Sequence, residues 1–356
     1  MALAEPGEGQ AFGPQLRSAQ PVARAVPAFF SRRPLLLLGL ALLAALIVSI
    51  FVGRYPTVGW LSPATLAQDE LARQLLLNLR LPRVLTACLL GMTLAASGHV
   101  LQMIFRNPLV EPGLLGVSQG AAFGAALSIL FFGASVVLIE GLATFFACLG
   151  LVVSYLLARR MRYGGWILRL VLSGIAVSAL FSSGVGVLKY MADPLTELPD
   201  IVFWMLGGLW GVTWRDLLYL FLPVAVGLTI VYLMRWRLNL LSLDDDTSFS
   251  LGASPGRERS LVLGAAVAAT AAVVSVAGVV SWIGLLIPHV ARRLTGADAQ
   301  KAIPASLLLG GIFALLCDGL ARTLLPGEIP LGILTSLLGA LLFMIMMLTK
   351  NVRVRR

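Results

Sequence analysis

Charged residues are scarce in this chain: Asp, Glu, Lys and Arg together make up 12% of its 356 residues, about half the share of a typical soluble domain. Hydrophobic residues make up 58%. An apolar run of about 20 residues crosses a bilayer as a helix, because lipid offers no partner to unpaired backbone groups. The composition therefore excludes an ordinary soluble domain and predicts an all-α polytopic membrane protein.

Catalytic and metal-binding signatures are also missing. The sequence contains no P-loop, no GxSxG or HExxH pattern and no paired carboxylates, so we expect no catalysis and no ATP hydrolysis by this chain alone. Cys88, Cys148 and Cys317 lie in apolar runs without metal-ligand spacing, which argues against a disulfide framework or a zinc site. His99 and His289 each lack a coordination set, which favours buried helix-packing roles over metal ligation.

The net charge of +10 comes from arginines between the apolar runs. The blocks are Arg32–Arg33, Arg159–Arg160, Arg235 with Arg237, Arg257 with Arg259, and Arg292–Arg293. Such blocks mark cytoplasmic loops, because positively charged residues are retained on the inner side of a membrane. We therefore expect no nucleic-acid partner.

Apolar length and arginine position together predict about ten membrane segments, with both chain ends in the cytoplasm. They lie near 35–52, 82–105, 114–133, 135–158, 168–190, 216–234, 260–280, 281–291, 303–325 and 329–349. The eighth is too short to cross alone and contains Pro288, which predicts a broken or re-entrant piece buried in protein. The predicted organisation is a disordered cytoplasmic tail over 1–34, a membrane domain over 35–350 and a basic cytoplasmic tail over 351–356.

The two longest connections differ in chemistry. Residues 191–214 carry three acids, no base and three tryptophans, which is typical of an outer interface. Residues 235–259 form the longest inner connection. Within it, Asp244–Asp246 predict a helix start with acids at the positive end of the helix dipole, and Gly252 with Pro255 predicts the end of that helix. On this pattern alone, the segment is either a docking element or a solvated linker.

A polar elbow, FRNPLVEPGLLGVSQG, separates two apolar runs. Pro108 and Pro112 end one span and redirect the chain, while Arg106 and Glu111 mark the cytoplasmic edge. Two stripes of small residues follow. They are Gly116, Gly120 and Gly124, then Gly174, Ser178, Ser182 and Gly186. This spacing lets helices approach closely, and it is compatible both with plain helix packing and with a smooth wall for a large solute.

Several motifs in fixed order carry a resemblance to a known family. They are RLPRVL, SGHVLQMIFRNPLVEPGLLGVSQGAAFGA, FWMLGGLWGVTW, LNLLSL with SLGAS, GLLIPHVARRL and CDGLARTLLPGEIPLGILTSLLGA. Over about residues 35–350 the chain resembles the FecCD family of permeases, which are the membrane subunits of binding-protein-dependent ABC importers for iron chelates, heme and cobalamin. The resemblance implies a bacterial inner-membrane homodimer with the translocation path at its two-fold axis. It also implies two ATP-binding subunits below, which would bind ATP and Mg²⁺, a periplasmic substrate-binding protein above, and no cofactor bound by this subunit.

Three arginines match family positions that meet acidic residues of the binding protein: Arg80, Arg83 and Arg322. The planar fork of arginine binds carboxylates through two parallel hydrogen bonds. Two alternatives stay open. Arg80 and Arg83 could snorkel to the interface, and Arg322 could pair with Asp318 one turn earlier. Asp318 is the one acid deep in a predicted span, where a structural pair is favoured over a proton relay.

Residues 244–256 match the coupling segment of the family, which sits in a cleft of the ATPase. The resemblance assigns this contact to Asp246, Leu251, Gly252 and Ala253, with Arg257 and Arg259 at its edge. The run of three aspartates is more acidic than the family pattern, and it could change how the partner is matched.

The resemblance also implies a cytoplasmic gate at the inner end of the fifth span. Relatives have small polar residues there, whereas this chain has Ile167 and Leu168. Two copies would form an apolar constriction, which can gate by dewetting. Asn107 and Leu109 of the elbow lie at the same depth and are further gate candidates.

The implied function is ATP-driven import of a bulky metal chelate by alternating access, with a ferric siderophore as the first candidate and heme or a corrinoid next. An ion-coupled secondary transporter is the alternative. That class needs ionisable groups deep in several spans, and here only Asp318 meets this requirement.

Overall fold

The computed structural model describes residues 34–55 and 59–348. The chain begins with helix α1 (Pro34–Phe51), a two-stranded antiparallel hairpin of β1 (Val52–Gly53) and β2 (Gly59–Trp60), and the short helices α2 (Pro63–Gln68) and α3 (Glu70–Leu75). A π-helical turn, Leu76–Arg80, leads into α4 (Leu81–Ile104). The predicted tails over 1–34 and 351–356 lie outside the described residues, apart from Pro34.

The rest of the chain is helical. After a 3-10 turn at Pro112–Leu115 come α5 (Val117–Phe132), α6 (Val136–Arg160), α7 (Trp166–Met191), α8 (Glu197–Leu206), α9 (Trp214–Leu233), α10 (Arg235–Leu241), α11 (Asp245–Ser250), α12 (Pro255–Ala277), α13 (Ile283–Thr295), α14 (Ala299–Thr323) and α15 (Leu331–Leu348). Below, the end of the bundle where α4 begins is called the outer end, and the end where α4 finishes is called the inner end.

The predicted membrane segments correspond to ten of these helices. Eight helices in the described chain are long and apolar enough to cross a membrane. The other two predicted segments, the third and the eighth, are α5, an apolar helix of 16 residues, and α13, with 13 residues and an internal Pro288. The multi-pass all-α fold is thus confirmed.

Three local features add detail to these expectations. The outer connection 191–214 contains the helix α8, and the inner connection 235–259 is mostly helical, because it holds α10, α11 and the start of α12. The third segment starts at Val117 rather than near 114, because the 3-10 turn ends at Gly116, whose φ of +83° breaks the helical path. Glycine adopts this left-handed conformation without steric cost.

Helix α4 is the centre of the subunit. Of its 24 residues, 18 are buried, and α12 is the next most enclosed span. By contrast α1, α6, α7 and α15 keep most of their apolar residues on the outside. An apolar outer surface suits contact with lipid, which supplies no hydrogen bonds to polar side chains, or with the apolar surface of a second copy.

Close backbone contact explains how α4 is enclosed. A Cβ atom on Gly91 would lie 2.1 Å from the carbonyl oxygen of Gly310 in α14, and one on Gly98 would lie 1.9 Å from that of Gly284 in α13. Neither distance leaves room for a side chain, so these glycines set the approach of the helices. Cys88 and Cys317 are buried in the same region, Cys148 is half-buried, and all three are free.

Candidate functional site

The outer end contains a cavity lined by arginines. The predicted docking residues Arg80, Arg83 and Arg322 all line one cavity of about 360 Å³. They come from the π-helical turn, the first turn of α4 and the last turn of α14. Other residues that line the cavity are Arg54, Tyr55, Trp210 and Glu328. The structure thus brings Arg322 of α14 beside Arg80 and Arg83, which lie far from it in the sequence.

A buried carboxylate neutralises two of these arginines. Asp318 is fully buried. Its Oδ1 accepts a hydrogen bond from Arg83 Nε at 2.9 Å, and its Oδ2 lies 2.9 Å from Arg322 Nε without the alignment of a hydrogen bond. Arg83 also donates to both carboxylate oxygens of Glu328 at 2.9 Å. The chain therefore has an Asp318–Arg322 ion pair, and Arg83 and Glu328 extend it.

The remaining donors of Arg322 join α14 to the end of α1. Its Nη2 donates to the Ser49 carbonyl and hydroxyl oxygens at 3.0 Å, and its Nη1 donates to the Val52 carbonyl at 3.2 Å. Its side chain is only 8% exposed. Arg322 is therefore committed to contacts within its own chain.

Arg80 differs from the other two predicted docking residues. Its Nη2 donates to the Tyr55 carbonyl at 3.0 Å, while its Nη1 has no partner. None of the ion pairs found within residues 34–55 and 59–348 includes Arg80. Its guanidinium packs over Gly53, where a Cβ would lie 2.3 Å from Cζ. Arg80 thus supplies a positive charge to the cavity that no acid of the described chain compensates.

The loop that carries Tyr55 is held to α3 on the outer side. The Tyr55 hydroxyl donates to Asp69 at 2.9 Å, and Asp69 caps α3 by accepting from the backbone N–H groups of Leu71 and Ala72. The Ala72 N–H, followed by the Tyr55 hydroxyl, holds the pKa of the Asp69 carboxyl below its ordinary value of 3.8. These bonds fix the rim of the cavity beside Arg80.

The coupling segment at the inner end comprises α11 and the turn that follows it. Asp246, Gly252 and Arg257 are exposed, as is Leu251 at 55%. Phe249 is 73% exposed and was missed in the sequence reasoning, although an aromatic residue between two serines in a short helix could have indicated it. These side chains form an exposed patch that is mostly apolar and acidic, as expected of a docking element.

Two residues assigned to this contact face inward. Ala253, assigned to the contact, and Arg259, assigned to its edge, are each 3% exposed, so neither side chain lies on the surface of the segment. Arg259 pairs with Asp245 at 2.5 Å and donates to the Leu241 carbonyl at 2.9 Å. It therefore holds α11 against α10 from the inside.

The gate candidates are surface residues at the inner end. Leu168 in the first turn of α7 is 49% exposed and Leu109 of the elbow is 57% exposed, while Ile167 is half-buried. Asn107 Oδ1 accepts a hydrogen bond from the Leu109 N–H at 2.9 Å. The 3-10 turn of the elbow packs on α7 at Gly174, where a Cβ would lie 2.8 Å from the Leu114 carbonyl. Gly174 lies about two helical turns from Ile167, toward the outer end of α7.

A buried glutamine fixes the elbow to two helices. Gln102 Nε2 donates to the carbonyls of Val110, Gly284 and Leu285 at 3.1–3.3 Å, and its Oε1 accepts from Arg292 at 2.5 Å. Glu111, expected at the cytoplasmic edge, lies in the elbow at the inner end and is half-buried there. Burial raises the pKa of its carboxyl above the ordinary 4.5, and the backbone N–H of Trp282 opposes this by donating to it.

Both histidines lie among helices. His99 is fully buried and its Nδ1 is 2.7 Å from the Ser306 hydroxyl. His289 Nδ1 is 2.7 Å from the Leu285 carbonyl one turn earlier. Each imidazole is thus hydrogen-bonded to its own chain on the helix interfaces around α4 and α13.

The two small-residue stripes have different surroundings. A Cβ on Gly120 or Gly124 would lie 2.4 or 2.3 Å from a carbonyl oxygen of α6, and one on Gly116 would lie 2.9 Å from Val177. On α7, Gly174 is packed, Ser178 is half-buried, and Ser182 and Gly186 are exposed. The first stripe therefore serves helix packing, whereas the outer half of the second faces away from its own subunit.

Comparison with known proteins identifies a matching family, similar permeases and a similar solved structure. The profile of the FecCD transport family matches residues 41–349. The molybdate import system permease protein MolB of Haemophilus influenzae is 41% identical over 324 residues, which are 87% of this chain and 94% of that protein. An iron chelatin transport system permease protein of Helicobacter pylori is 43% identical over 270 residues, 76% of this chain and 81% of that protein. A solved structure, described as an inward-facing conformation of a metal-chelate type ABC transporter, has a TM-score of 0.82 at 39% identity, over 88% of this chain and 98% of that one.

Proposed function

This chain belongs to the FecCD transport family of ABC importer permeases, and from that premise we propose that two copies of it form the membrane conduit of a bacterial inner-membrane importer. Two ATP-binding subunits would attach at the inner end, with ATP and Mg²⁺ bound there, and a periplasmic binding protein would dock at the outer end. The permease itself would bind no cofactor and catalyse no reaction. Both termini would lie in the cytoplasm.

One observation carries this proposal: α4 joins the two candidate contact surfaces. Arg83 stands in its first turn inside the arginine cavity, and the elbow follows its last residue, Ile104. With 24 residues, α4 is roughly 36 Å long, which exceeds the hydrocarbon thickness of about 30 Å. A helix of this length places one surface on each side of the membrane, as an importer driven from inside and loaded from outside requires.

The structure supports a refined docking role for the three arginines. Arg83 and Arg322 are engaged by Asp318 and Glu328, so their loss would act through the fold. Arg80 has no acid partner, and we assign to it the direct contact with a carboxylate of the binding protein. An incoming acid would find one uncompensated guanidinium among the residues that line the cavity.

We expect Arg80→Glu to weaken binding of the cognate binding protein to the reconstituted complex by about tenfold or more, because it places two like charges together. Surface plasmon resonance on complexes in nanodiscs measures this affinity. Arg73→Glu is the matched control, since Arg73 is an exposed arginine of α3 that does not line the cavity. Equal affinity for wild type and Arg80→Glu would contradict the assignment.

The cargo we propose is a bulky metal chelate: a ferric siderophore first, then heme or a corrinoid. The apolar, uncharged stretch of α7 from Leu170 to Leu188 supports a path without dedicated ligands, in which selection lies with the binding protein. Ile167, Leu168, Asn107 and Leu109 would form the inner gate, and Ser178, Ser182 and Gly186 would face the path.

An oxyanion is the second candidate cargo, because a molybdate permease is 41% identical to this chain. Uptake of isotopically labelled ferric siderophore, heme, cobalamin and molybdate by the assembled complex decides between them. Transport of a chelate supports the first proposal. Exclusive transport of molybdate would contradict it while leaving the importer assignment in place.

Ion-coupled secondary transport is the competing mechanism. It would need Asp318 to release and bind protons, yet this carboxylate lies between the guanidinium groups of Arg83 and Arg322. Both guanidinium groups engage this carboxylate, so its two oxygens are committed to contacts within the chain. The contacts of Asp318 therefore favour a structural role.

A further inference from the structure

The elbow and the coupling segment are joined by a side-chain bridge. Arg106, which follows the last turn of α4, directs its Nη1 to the carboxylate of Asp244 and its Nη2 to the carbonyl of Leu243. These two acceptors immediately precede α11. A single guanidinium therefore connects the end of the central helix with the start of the coupling helix.

The backbone at Arg106 is in an unusual conformation. Its φ is +50°, and the only other non-glycine residue with positive φ in the described chain is Trp282. A left-handed conformation is costly for a side chain with a Cβ, and it persists where the surroundings require it. Here the strained residue is the one that makes the bridge.

Asp244 also gives up its ordinary role. It occupies the N-cap position of α11, where an aspartate usually accepts hydrogen bonds from the first backbone N–H groups, but it makes no such cap. Its side chain is turned to Arg106 instead. Arg106 thus adopts an unfavourable backbone conformation, and Asp244 makes no N-cap hydrogen bond, where each forms the bridge.

The bridge contributes little to stability. The Asp244 side chain is 82% exposed and that of Arg106 is 36% exposed, and an ion pair in such a setting is worth little. Strain without a matching gain in stability indicates a functional contact. The geometry also accounts for the acidic run at 244–246: Asp244 faces Arg106, Asp245 faces Arg259, and Asp246 stays exposed for a partner.

Hydrogen bonds within the elbow connect Arg106 to the residues that follow it, so a displacement of Arg106 would move them as well. The next residue, Asn107, has its N–H bonded to the Gln102 carbonyl at 3.2 Å and its side chain bonded to the Leu109 N–H at 2.9 Å. Gln102 also holds the Val110 carbonyl at 3.3 Å. Residues 106–110 are therefore tied together and to α4.

We infer that Arg106 and Asp244 form the mechanical link through which movement of the coupling segment displaces the gate residues of the elbow. Arg106 acts as a positioning residue, because it acts through Asp244 and Leu243 of its own chain. This inference rests on the proposed importer function. It adds a coupling path that runs through the elbow and α4.

The test measures cargo transported per ATP hydrolysed by the full complex of permease, ATPase and binding protein in proteoliposomes. The variants are Arg106→Gln, Asp244→Asn, the double variant, and the charge reversal Arg106→Glu with Asp244→Arg. Arg160→Gln is the matched control, because Arg160 is an exposed arginine at the end of α6 outside the coupling segment.

Each single variant is expected to assemble with the ATPase and to hydrolyse ATP, but to transport about threefold less cargo per ATP, the scale of one exposed ion pair. The double variant should lose no more than a single one, and charge reversal should restore most of the ratio. A purely structural role would lower expression or assembly and leave the ratio unchanged.

Two results would overturn the link while the importer proposal stands: unchanged ratios in the single variants, or loss of ATPase assembly in Asp244→Asn, which would make Asp244 a direct docking residue. If the wild-type complex itself shows no ATP-dependent transport, the proposed function fails and the link fails with it. The wild-type measurement thus separates the two failures.

Discussion

Replacement of Asp318 by asparagine should destabilise the protein strongly. The carboxylate is fully buried and faces two guanidinium groups, with 2.9 Å to Arg83 Nε and 2.9 Å to Arg322 Nε. Removal of one partner from a buried ion pair costs about 3–5 kcal/mol, because the opposite charge stays buried without compensation. Here two arginines lose their shared acid, and Arg322 has no other carboxylate within the described residues.

Glu328→Gln is the matched control for this prediction. Glu328 pairs with Arg83 at the same distance of 2.9 Å, but its side chain is 34% exposed. Arg83 keeps its bond to Asp318 after the substitution and water can solvate the glutamine, so a loss of at most about 1 kcal/mol is expected. The two variants remove the same charge from the same cluster and differ in burial.

The apparent melting temperature in detergent or nanodiscs measures the difference. Asp318→Asn should lower it by roughly 5–10 °C, and Glu328→Gln by less than about 2 °C. The double variant Asp318→Asn with Arg322→Met should recover part of the loss, since an apolar side chain of similar size no longer leaves a buried charge. If the melting temperatures of Asp318→Asn and Glu328→Gln differ by less than a degree, the contacts of Asp318 with Arg83 and Arg322 do not stabilise the fold, and the reasoning is refuted.

One further substitution tests the close contact between α4 and α14, and another tests the burial of Glu111 at the inner end. Gly91→Leu should prevent folding or lower the melting temperature by more than Gly264→Leu. A Cβ on Gly91 would lie 2.1 Å from the Gly310 carbonyl, whereas nothing lies within 4 Å of one on Gly264. Equal losses in the two variants would contradict the close approach of α4 and α14. Burial raises the pKa of Glu111 above 4.5 in the folded state, so the folded protein binds the proton more tightly, and stability should fall as pH rises from about 4.5 through the folded pKa. Glu111→Gln should flatten this fall in melting temperature between acid and neutral pH, and an unchanged pH profile would contradict the burial of an ionisable Glu111.

Sequence reasoning predicted the features that depend on local pattern. Apolar length located the eight helices that are long and apolar enough to cross a membrane, because the bilayer imposes the same requirement on each span. The i,i+4 spacing of Asp318 and Arg322 indicated their pair, since residues one turn apart share a helix face. The short helix of the coupling segment was indicated by its acids and by Gly252 in the same way.

Features that depend on distant parts of the chain were not predictable. Arg83 and Asp318 are 235 residues apart, and only the packing of α4 on α14 brings them together. Arg259 was predicted at the edge of the coupling contact, because nothing in the local pattern shows that it turns toward Asp245. The same holds for Arg106 and Asp244, whose contact depends on the position of α11 beside the elbow.

The central claim is that this permease moves cargo only when an ATPase and a binding protein act on its two ends. Uptake of labelled cargo into proteoliposomes tests it most directly, first with the purified permease alone under an imposed ion gradient, then with ATPase, binding protein and ATP together. The account predicts no uptake in the first case and ATP-dependent uptake in the second, lost when any one component is omitted. Uptake by the permease alone, driven by the ion gradient, would contradict it.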